Sequence, residues 1–208
     1  AIKSAETRTS GEIVPVIATA SGRYDRGEDI FAVFFALAIF AASWFTWLSI
    51  TPDPAAWVAE TNLNMVLLAI IMLFLTCFTI GTILATYYTK LRRPFTPIKE
   101  MNEEVNFAAL QCFSKFRVGD TKDKTGILIF VSLFERSVMV LGDVGISAKI
   151  PQIQWEEIRN LIIDGIRNKQ PAEGIKRGIL RCGEILKKEF PVQTDDANEL
   201  PNQIYLID

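Results

Sequence analysis

Three acidic residues stand where the sequence predicts that strands begin or end. Glu12 opens the apolar run EIVPVIATA, Glu135 lies between two later apolar runs, and Asp143 follows the second of them. Carboxylate oxygens are the ligands that hard cations such as Ca²⁺ and Mg²⁺ prefer. Asp143 is the strongest metal candidate, because strand ends of α/β sheets open into crevices. Glu12 and Glu135 join the same metal site only if the fold brings them close to Asp143.

Each of these segments also has a purely structural interpretation. In Leu-Gly-Asp-Val-Gly, Asp143 caps the following turn and the neighbouring glycines supply its backbone angles. In Thr9-Ser10-Gly11-Glu12, Gly11 takes a left-handed conformation at a helix-to-strand joint. Turn chemistry selects the same residue types as ligand binding, so the sequence leaves both interpretations open.

Composition excludes several classes of enzyme. The 208 residues include no histidine, which rules out a Ser-His-Asp triad, a phosphohistidine mechanism and the usual zinc and iron ligand sets. Cys77, Cys112 and Cys182 lack CxxC spacing, so we expect neither disulfides nor a zinc site. Cysteine-phosphatase, aspartyl-phosphate, Walker and dinucleotide motifs are absent from the sequence. A net charge of -2 without a basic stripe argues against a nucleic-acid partner.

Two long uncharged segments predict a transmembrane hairpin. They run from Ile30 to Ile50 and from about Leu63 to Tyr88. At about 1.5 Å per residue, each is long enough to cross a hydrocarbon core of about 30 Å. Small residues would allow the two helices to pack closely, namely Gly81 and Ala85 with Ala38 and Ala42. Aromatic residues that favour the membrane interface lie near the ends: Trp44, Trp47, Trp57, Tyr87 and Tyr88.

The distribution of charge around the hairpin predicts its orientation. Arg23 and Arg26 precede the first segment, and three cations follow the second, namely Lys90, Arg92 and Arg93. The connecting loop TPDPAAWVAETN carries Asp53 and Glu60 but no cation. By the positive-inside rule, both termini and the remaining domain are cytoplasmic, and Arg92 and Arg93 serve as headgroup anchors. The chain opens with Ala1 in a helical pattern, so we expect further residues upstream.

Outside the hairpin, roughly 150 residues remain, enough for one domain. Residues 1–8 predict a helix, and the strand after it contains Pro15, which places that strand at a sheet edge. Gly126–Phe134 is apolar on both faces, as in a central strand, and forms a hairpin with Ser137–Asp143. The first two strands are parallel, because a crossover that includes a helix joins them. Apolar periodicity predicts further helices over Met101–Phe116, Ile153–Asn168 and Pro171–Phe190.

The predicted fold is therefore α/β, with a small mixed sheet flanked by helices and a two-helix hairpin inserted after the first strand. The final residues show no periodicity, and we expect them to be loop or extended chain. The predicted segments are 1–28 (first helix and strand), 29–90 (hairpin), 91–192 (remainder of the α/β domain) and 193–208 (C-terminal tail).

Several spaced blocks resemble the TPM-domain family. They are AETRTSGEIV at 5–14, TGILIFVS at 125–132, Glu135-Arg136, LGDVGI at 141–146, Trp155, Cys182-Gly183, Phe190-Pro191 and NELPN at 198–202. The later blocks are similar to a bacterial subgroup that carries two membrane spans after its first strand. The resemblance implies a bacterial inner-membrane protein. Family members include thylakoid proteins of photosystem II repair, one with acid-phosphatase activity and calcium binding, and an auxiliary subunit of a nematode acetylcholine receptor.

The resemblance implies a non-enzymatic accessory or assembly subunit of a larger membrane complex. Bacterial members often occur beside membrane-anchored LemA proteins, so a LemA-like protein is one implied partner. This function predicts an exposed apolar patch, or a helix face buried by another subunit. The alternative is a metal-dependent phosphatase at the membrane surface, which predicts a pocket lined by several carboxylates. A third interpretation is a structural subunit of a photosynthetic or respiratory complex. The NELPN block docks either on a partner or back onto its own domain.

Overall fold

The computed structural model describes residues 1–50, 63–192 and 198–207. The connecting loop with Asp53, Trp57 and Glu60 lies outside these residues, as do residues 193–197 of the predicted tail. The chain divides into two compact units. One comprises Ala1–Gly22 and Lys99–Asp208, and the other comprises Arg23–Ile98.

The elements follow one another in an order that confirms the inserted hairpin. The chain begins with α1 (Ile2–Glu6) and β1 (Glu12–Ala18), and then forms α2 (Asp25–Ile50), α3 (Leu63–Tyr87) and α4 (Thr89–Arg92). After a 3₁₀ turn (Arg93–Phe95) come α5 (Ile98–Lys115), a second 3₁₀ turn (Val118–Asp120), β2 (Gly126–Ser132) and β3 (Ser137–Gly142). The remaining elements are α6 (Val144–Ser147), α7 (Gln152–Arg167), α8 (Pro171–Glu189) and β4 (Tyr205–Ile207).

The helical unit contains two helices, α2 and α3, that are long and apolar enough to cross a membrane. Only 11 % of the most apolar 18-residue stretch of each helix is buried by the rest of the protein. The two helices contact each other through small residues, as predicted for Gly81 and Ala85. A β-carbon at Gly81 would lie 2.9 Å from Ala32 Cα, and Ala85 is fully buried.

The predicted partners of Gly81 and Ala85 on the first helix are wrong. Ala32 and Ala36 are buried there, whereas Ala38 and Ala42 are exposed. The reason is helical periodicity, since a shift of six residues turns a side chain about 240° around the helix axis.

The α/β unit is built on a four-stranded mixed sheet with the order β3-β2-β1-β4. β1 and β2 are parallel from Glu12↔Gly126 to Ala18↔Ser132, and β2 and β3 form the antiparallel hairpin. Both arrangements agree with the sequence prediction. β4, from the tail, adds a short parallel pairing from Val16↔Tyr205 to Ala18↔Ile207.

The prediction that β1 is an edge strand is wrong, because β4 covers its carboxyl-terminal half. Glu12 N donates to Thr125 O on the β2 side, whereas Ile13 N and Thr19 N donate to groups on the opposite side. Since successive residues of a strand alternate in direction, Pro15 directs its nitrogen away from β2. The pairing with β4 begins only at Val16, so no ladder hydrogen bond is required at Pro15.

The sheet is covered on both faces, which confirms β2 as a central strand. Every residue of β2 is buried. Ile13, Ile127 and Ile129 face a core formed with α1, α7 and α8. Val14, Val16, Leu128 and Phe130 face a second core formed with α5, which buries Val105, Ala109 and Cys112. The amphipathic helices therefore pack on the two faces, as their periodicity predicts.

The glycines of the two proposed turns serve close packing rather than left-handed geometry. Among the described residues, no glycine has a positive φ, so the left-handed conformation expected of Gly11 is wrong, and Gly142 and Gly145 do not supply left-handed angles to the turn at Asp143. A β-carbon at Gly11 would lie 2.9 Å from Leu186 Cδ1. At Gly145 it would lie 2.7 Å from Lys124 O and 2.8 Å from Asp123 O. Backbone oxygens leave no room for a side chain at Gly145, whereas a side chain at Gly11 would have to displace the buried side chain of Leu186.

Candidate functional site

The three predicted acidic residues lie at two different ends of the sheet. Glu12 pairs with Gly126, and Asp143 N donates to Gly126 O at 2.9 Å, so both acids lie at the amino end of the parallel strands. Glu135 follows the carboxyl end of β2. At about 3.3 Å per residue, a seven-residue strand separates the two ends by about 20 Å. Glu135 therefore cannot share a cation with Glu12 and Asp143.

Asp143 caps a short helix, as the turn interpretation predicts. Its Oδ1 accepts a hydrogen bond from Val144 N at 2.7 Å, and the residue is 9 % exposed. Its Oδ2 is buried without a hydrogen-bond partner among the described residues, close to Gly119. Because β3 is antiparallel, Asp143 lies at the amino edge of β1 and β2 rather than at the carboxyl edge, where crevices of α/β sheets form.

Glu135 joins the ends of β1 and β2. Its Oε1 accepts a hydrogen bond from Ser21 N at 2.7 Å, and its Oε2 accepts one from Ser132 Oγ. Ser132 is fully buried and Glu135 is 8 % exposed. These contacts give Glu135 a structural role in closing the turn between β2 and β3.

Glu12 lies in an acidic cleft with a second carboxylate, Glu6. The cleft has a volume of about 470 Å³ and is lined by Lys3, Glu6, Thr7, Thr9, Glu12, Val192, Asn198 and Asn202. Glu6 Oε1 accepts a hydrogen bond from Ile13 N at 2.9 Å. The pKa of Glu6 is raised to about 7, with burial as the largest cause; the bond from Ile13 N opposes the rise, and the charge of Glu12 adds to it.

Sequence reasoning missed Glu6. The sequence did contain one signal for it: Glu6 ends a short helix, and that helix must lie beside the strand that begins at Glu12. The segment between these two acids is a structural joint: Thr9 Oγ1 donates to Phe190 O at 2.7 Å, and Thr125 Oγ1 donates to Ser10 O at 3.0 Å.

The C-terminal segment docks back onto its own domain beside this cleft. Glu199 N donates to Glu12 Oε1 at 3.1 Å, and the Glu199 carboxylate accepts from Lys122 N at 3.0 and 3.2 Å. Further along the segment, the Tyr205 ring stacks on Phe116 with the ring centroids 4.0 Å apart. Of the two interpretations left open for NELPN, the structure shows docking onto the same chain.

A second depression, the apolar groove, shares Lys3 and Asn202 with the acidic cleft and extends toward the carboxyl ends of β1 and β2. It has a volume of about 600 Å³ and is walled by α1, the start of α8, the ends of β1 and β2, and the residues before β4. Leu133 and Ile204 are 46 % and 48 % exposed there. The lining residues are Ala1, Ile2, Lys3, Ile17, Val131, Leu133, Pro171, Ala172, Ile175, Lys176, Ile179, Asn202, Gln203 and Ile204.

Comparison with known proteins agrees with this architecture. Residues 95–185 match the family model of the TPM domain. This stretch of the chain is therefore similar to a TPM domain. The NMR structure of the BA42 protein from the psychrophilic bacterium Bizionia argentinensis is similar in fold, with a TM-score of 0.56 and 20 % sequence identity. That alignment covers 99 % of this chain and 86 % of BA42. The comparison with curated proteins found no match.

The α/β unit does not bring the three predicted carboxylates together into one metal site. Among the residues that the structure describes, no group of three or more His, Cys, Asp or Glu side chains is placed to hold a metal ion. Glu6 and Glu12 share one cleft, Asp143 caps α6, and Glu135 lies at the far end of the strands. Binding of Ca²⁺ or Mg²⁺ stays a prediction, and no catalytic step is assigned to it.

The raised pKa of Glu6 predicts a specific dependence of stability on pH. Its folded-state pKa of about 7 lies above its ordinary value of 4.5, so the stability it contributes is complete below pH 4.5 and is lost as the pH rises through 7. Glu6→Gln cannot ionise but retains an acceptor for Ile13 N. We expect the free energy of unfolding of this variant to rise by about 1–2 kcal/mol relative to the wild type between pH 5 and pH 8. This is less than the pKa difference alone would give, because water reaches part of Glu6 and screens its charge.

Urea unfolding in detergent, followed by circular dichroism at several pH values, measures this difference. Glu103→Gln, on the exposed surface of α5, is the matched control and should follow the wild-type pH profile. Parallel profiles for Glu6→Gln and the wild type would show that folding leaves the ionisation of Glu6 unchanged.

Proposed function

We propose that this chain is a non-enzymatic accessory subunit that is anchored in the bacterial inner membrane by its hairpin. Its TPM domain binds another protein of a larger membrane complex. The observation that supports this function best is the apolar groove, because an open depression lined by aliphatic side chains is what a protein-binding surface provides.

The hairpin supports the membrane anchor. Large aliphatic and aromatic side chains cover the outer surface of α2 and α3, including Phe45 at 69 % exposure and Met65 at 69 %. A surface of this composition is stable in lipid or against other membrane helices rather than in water. The hairpin therefore provides both the anchor and a second face for a partner.

The charged end of the hairpin supports a cytoplasmic location for the termini. Arg92 forms an ion pair with Glu28 and also donates to Arg23 O at 3.1 Å, so the start of α2 and the end of α3 lie at the same end of the helical unit. Because one carboxylate offsets Arg92, the other cations, Arg23, Arg26, Lys90 and Arg93, define the positive side. By the positive-inside rule, that side faces the cytoplasm.

The lining of the groove indicates the chemistry of its occupant. Aliphatic side chains form the floor, and Lys3 and Lys176 are the charged residues of the lining. An apolar segment with flanking acidic residues would bury its side chains in the groove and pair its charges with these lysines. A LemA-like membrane protein, or a subunit of a photosynthetic or respiratory complex, would supply such a segment.

Photo-crosslinking in the native membrane tests this proposal. A benzophenone amino acid placed at Ile204 should capture one membrane protein in stoichiometric yield, and mass spectrometry identifies it. Leu133→Asp adds a charge to the groove at a position that is 46 % exposed, so we expect loss of the crosslink while the fold is retained. Ile153→Asp is the matched control, because Ile153 is 70 % exposed and lies outside the groove lining.

Two results would contradict the accessory function. Equal crosslinking in the wild type and in Leu133→Asp would show that the groove does not bind the captured protein. Phosphate release from p-nitrophenyl phosphate that requires Mg²⁺ or Ca²⁺, and that Asp143→Asn abolishes, would instead support the metal-dependent phosphatase.

A further inference from the structure

A third depression, the arginine cleft, lies between the start of β3 and one face of α7. It has a volume of about 540 Å³ and is lined by Arg136, Ser137, Val138, Arg159, Asn160, Ile163, Asp164 and Arg167. Three of its eight lining residues carry a guanidinium group. The arginine cleft shares no lining residue with the acidic cleft or the apolar groove.

The backbone brings these arginines together from distant parts of the sequence. Asn160, Ile163, Asp164 and Arg167 have the spacing i, i+3, i+4, i+7, which places them on one face of α7. Arg136 comes from the tight turn between β2 and β3, where it has a φ of 54°. A non-glycine residue in this left-handed region is uncommon, and here it belongs to the turn that brings the side chain to the cleft.

Charge in the arginine cleft is poorly balanced. Arg136 and Arg159 form no ion pair within the described residues, and the Arg167 and Asp164 side chains approach to 3.9 Å at the surface. Three guanidinium groups against one carboxylate give the lining a net charge of +2. In contrast, Arg181 contacts two carboxylates, those of Glu157 and Glu184, each at 2.9 Å.

We propose that the arginine cleft binds a phosphate group, either inorganic phosphate or the headgroup of a phospholipid. Guanidinium groups donate planar pairs of hydrogen bonds that match the oxygens of phosphate, and three of them suit a tetrahedral anion better than a carboxylate with two oxygens. Ser137 and Asn160 add neutral donors to the lining. This inference is independent of the proposed accessory function.

The full-length protein in detergent is used to test the site. Equilibrium dialysis against radiolabelled inorganic phosphate should give a Kd of about 1 mM or tighter for the wild type. The combined change Arg136→Gln, Arg159→Gln and Arg167→Gln should weaken binding about tenfold or more, because it removes the charge-assisted donors. Arg177→Gln on α8 is the matched control, since Arg177 is also exposed but lies outside the cleft lining, and it should change binding by less than about twofold.

A second measurement distinguishes the two sources of phosphate. Native mass spectrometry counts bound phosphatidic acid, with phosphatidylcholine as the comparison lipid. Phosphatidic acid adducts that the triple variant loses, without binding of inorganic phosphate, assign the site to a lipid headgroup; binding of inorganic phosphate assigns it to a soluble ligand. Failure of both probes to bind, or equal binding by the triple variant and by the wild type with a native circular dichroism spectrum, would overturn the proposal.

Discussion

Gly126→Ala is expected to destabilise the α/β unit by about 4 kcal/mol or more, a large part of the roughly 5–15 kcal/mol that keeps a typical protein folded. A β-carbon at this position would lie 1.8 Å from Val118 O and 2.8 Å from Val118 C. Neither atom belongs to a flexible side chain, so relief requires the 3₁₀ turn at Val118–Asp120 to move away from β2. That movement would open the core in which Val118 is fully buried.

The measurement for Gly126→Ala is urea unfolding in detergent, together with maleimide labelling of the buried Cys112 and Cys182 thiols in a Cys77→Ala background. Gly22→Ala is the matched control. Its new β-carbon would meet Glu104 Cγ at 2.8 Å, but that atom belongs to a flexible side chain that can rotate away. We expect this control to lose no more than about 1 kcal/mol. An unchanged unfolding midpoint for Gly126→Ala would show that Val118 does not occupy the space above Gly126.

The same contact explains why position 126 is a glycine. Gly126 pairs with Glu12 of β1 on one side, and its carbonyl accepts from Asp143 N on the other. The Val118 carbonyl fills the space over Gly126. A glycine is therefore needed for the 3₁₀ turn at Val118–Asp120 to pack against the amino end of β2.

Much of the fold was predictable because its signals are local. The absence of charge over two long segments identifies α2 and α3, and an apolar run on both faces identifies β2 as central. The position of β1 was not predictable from Pro15 alone. It depends on β4, a strand of three residues in a segment that shows no sequence periodicity. β4 pairs with β1 only after Pro15.

The candidate sites were less predictable because they depend on contacts between distant segments. Sequence reasoning found Glu12, Glu135 and Asp143, and the strand directions that it predicted already place Glu135 at the end of β2 opposite to Glu12 and Asp143. Glu6 belongs to a five-residue helix whose short pattern does not indicate which side chain faces the strand. The arginine cleft combines a turn residue, Arg136, with Arg167 on α7, and no sequence spacing connects them.

Tyr205→Ala is expected to release the C-terminal segment from the sheet, weakening its docking by about 2–3 kcal/mol. The substitution removes the ring that stacks on Phe116 and leaves β4 with only a three-residue pairing to β1. Two amide hydrogens report this local opening: Thr19 N, which donates to Ile207 O at 3.0 Å, and Lys122 N, which donates to Glu199.

Hydrogen exchange at Thr19 and Lys122 should accelerate in Tyr205→Ala while exchange in the central strand β2 stays slow, because local opening does not require global unfolding. Leu206→Ala is the matched control on the same strand, since Leu206 is 77 % exposed and its side chain should contribute little to docking. Acceleration at Thr19 alone would show that Glu199 holds the segment beside the acidic cleft independently of β4. Unchanged exchange at both amides would contradict the view that the Tyr205 ring anchors the segment. Acceleration at both would show that the stacking of one aromatic ring controls access to Glu6 and Glu12 from the C-terminal side.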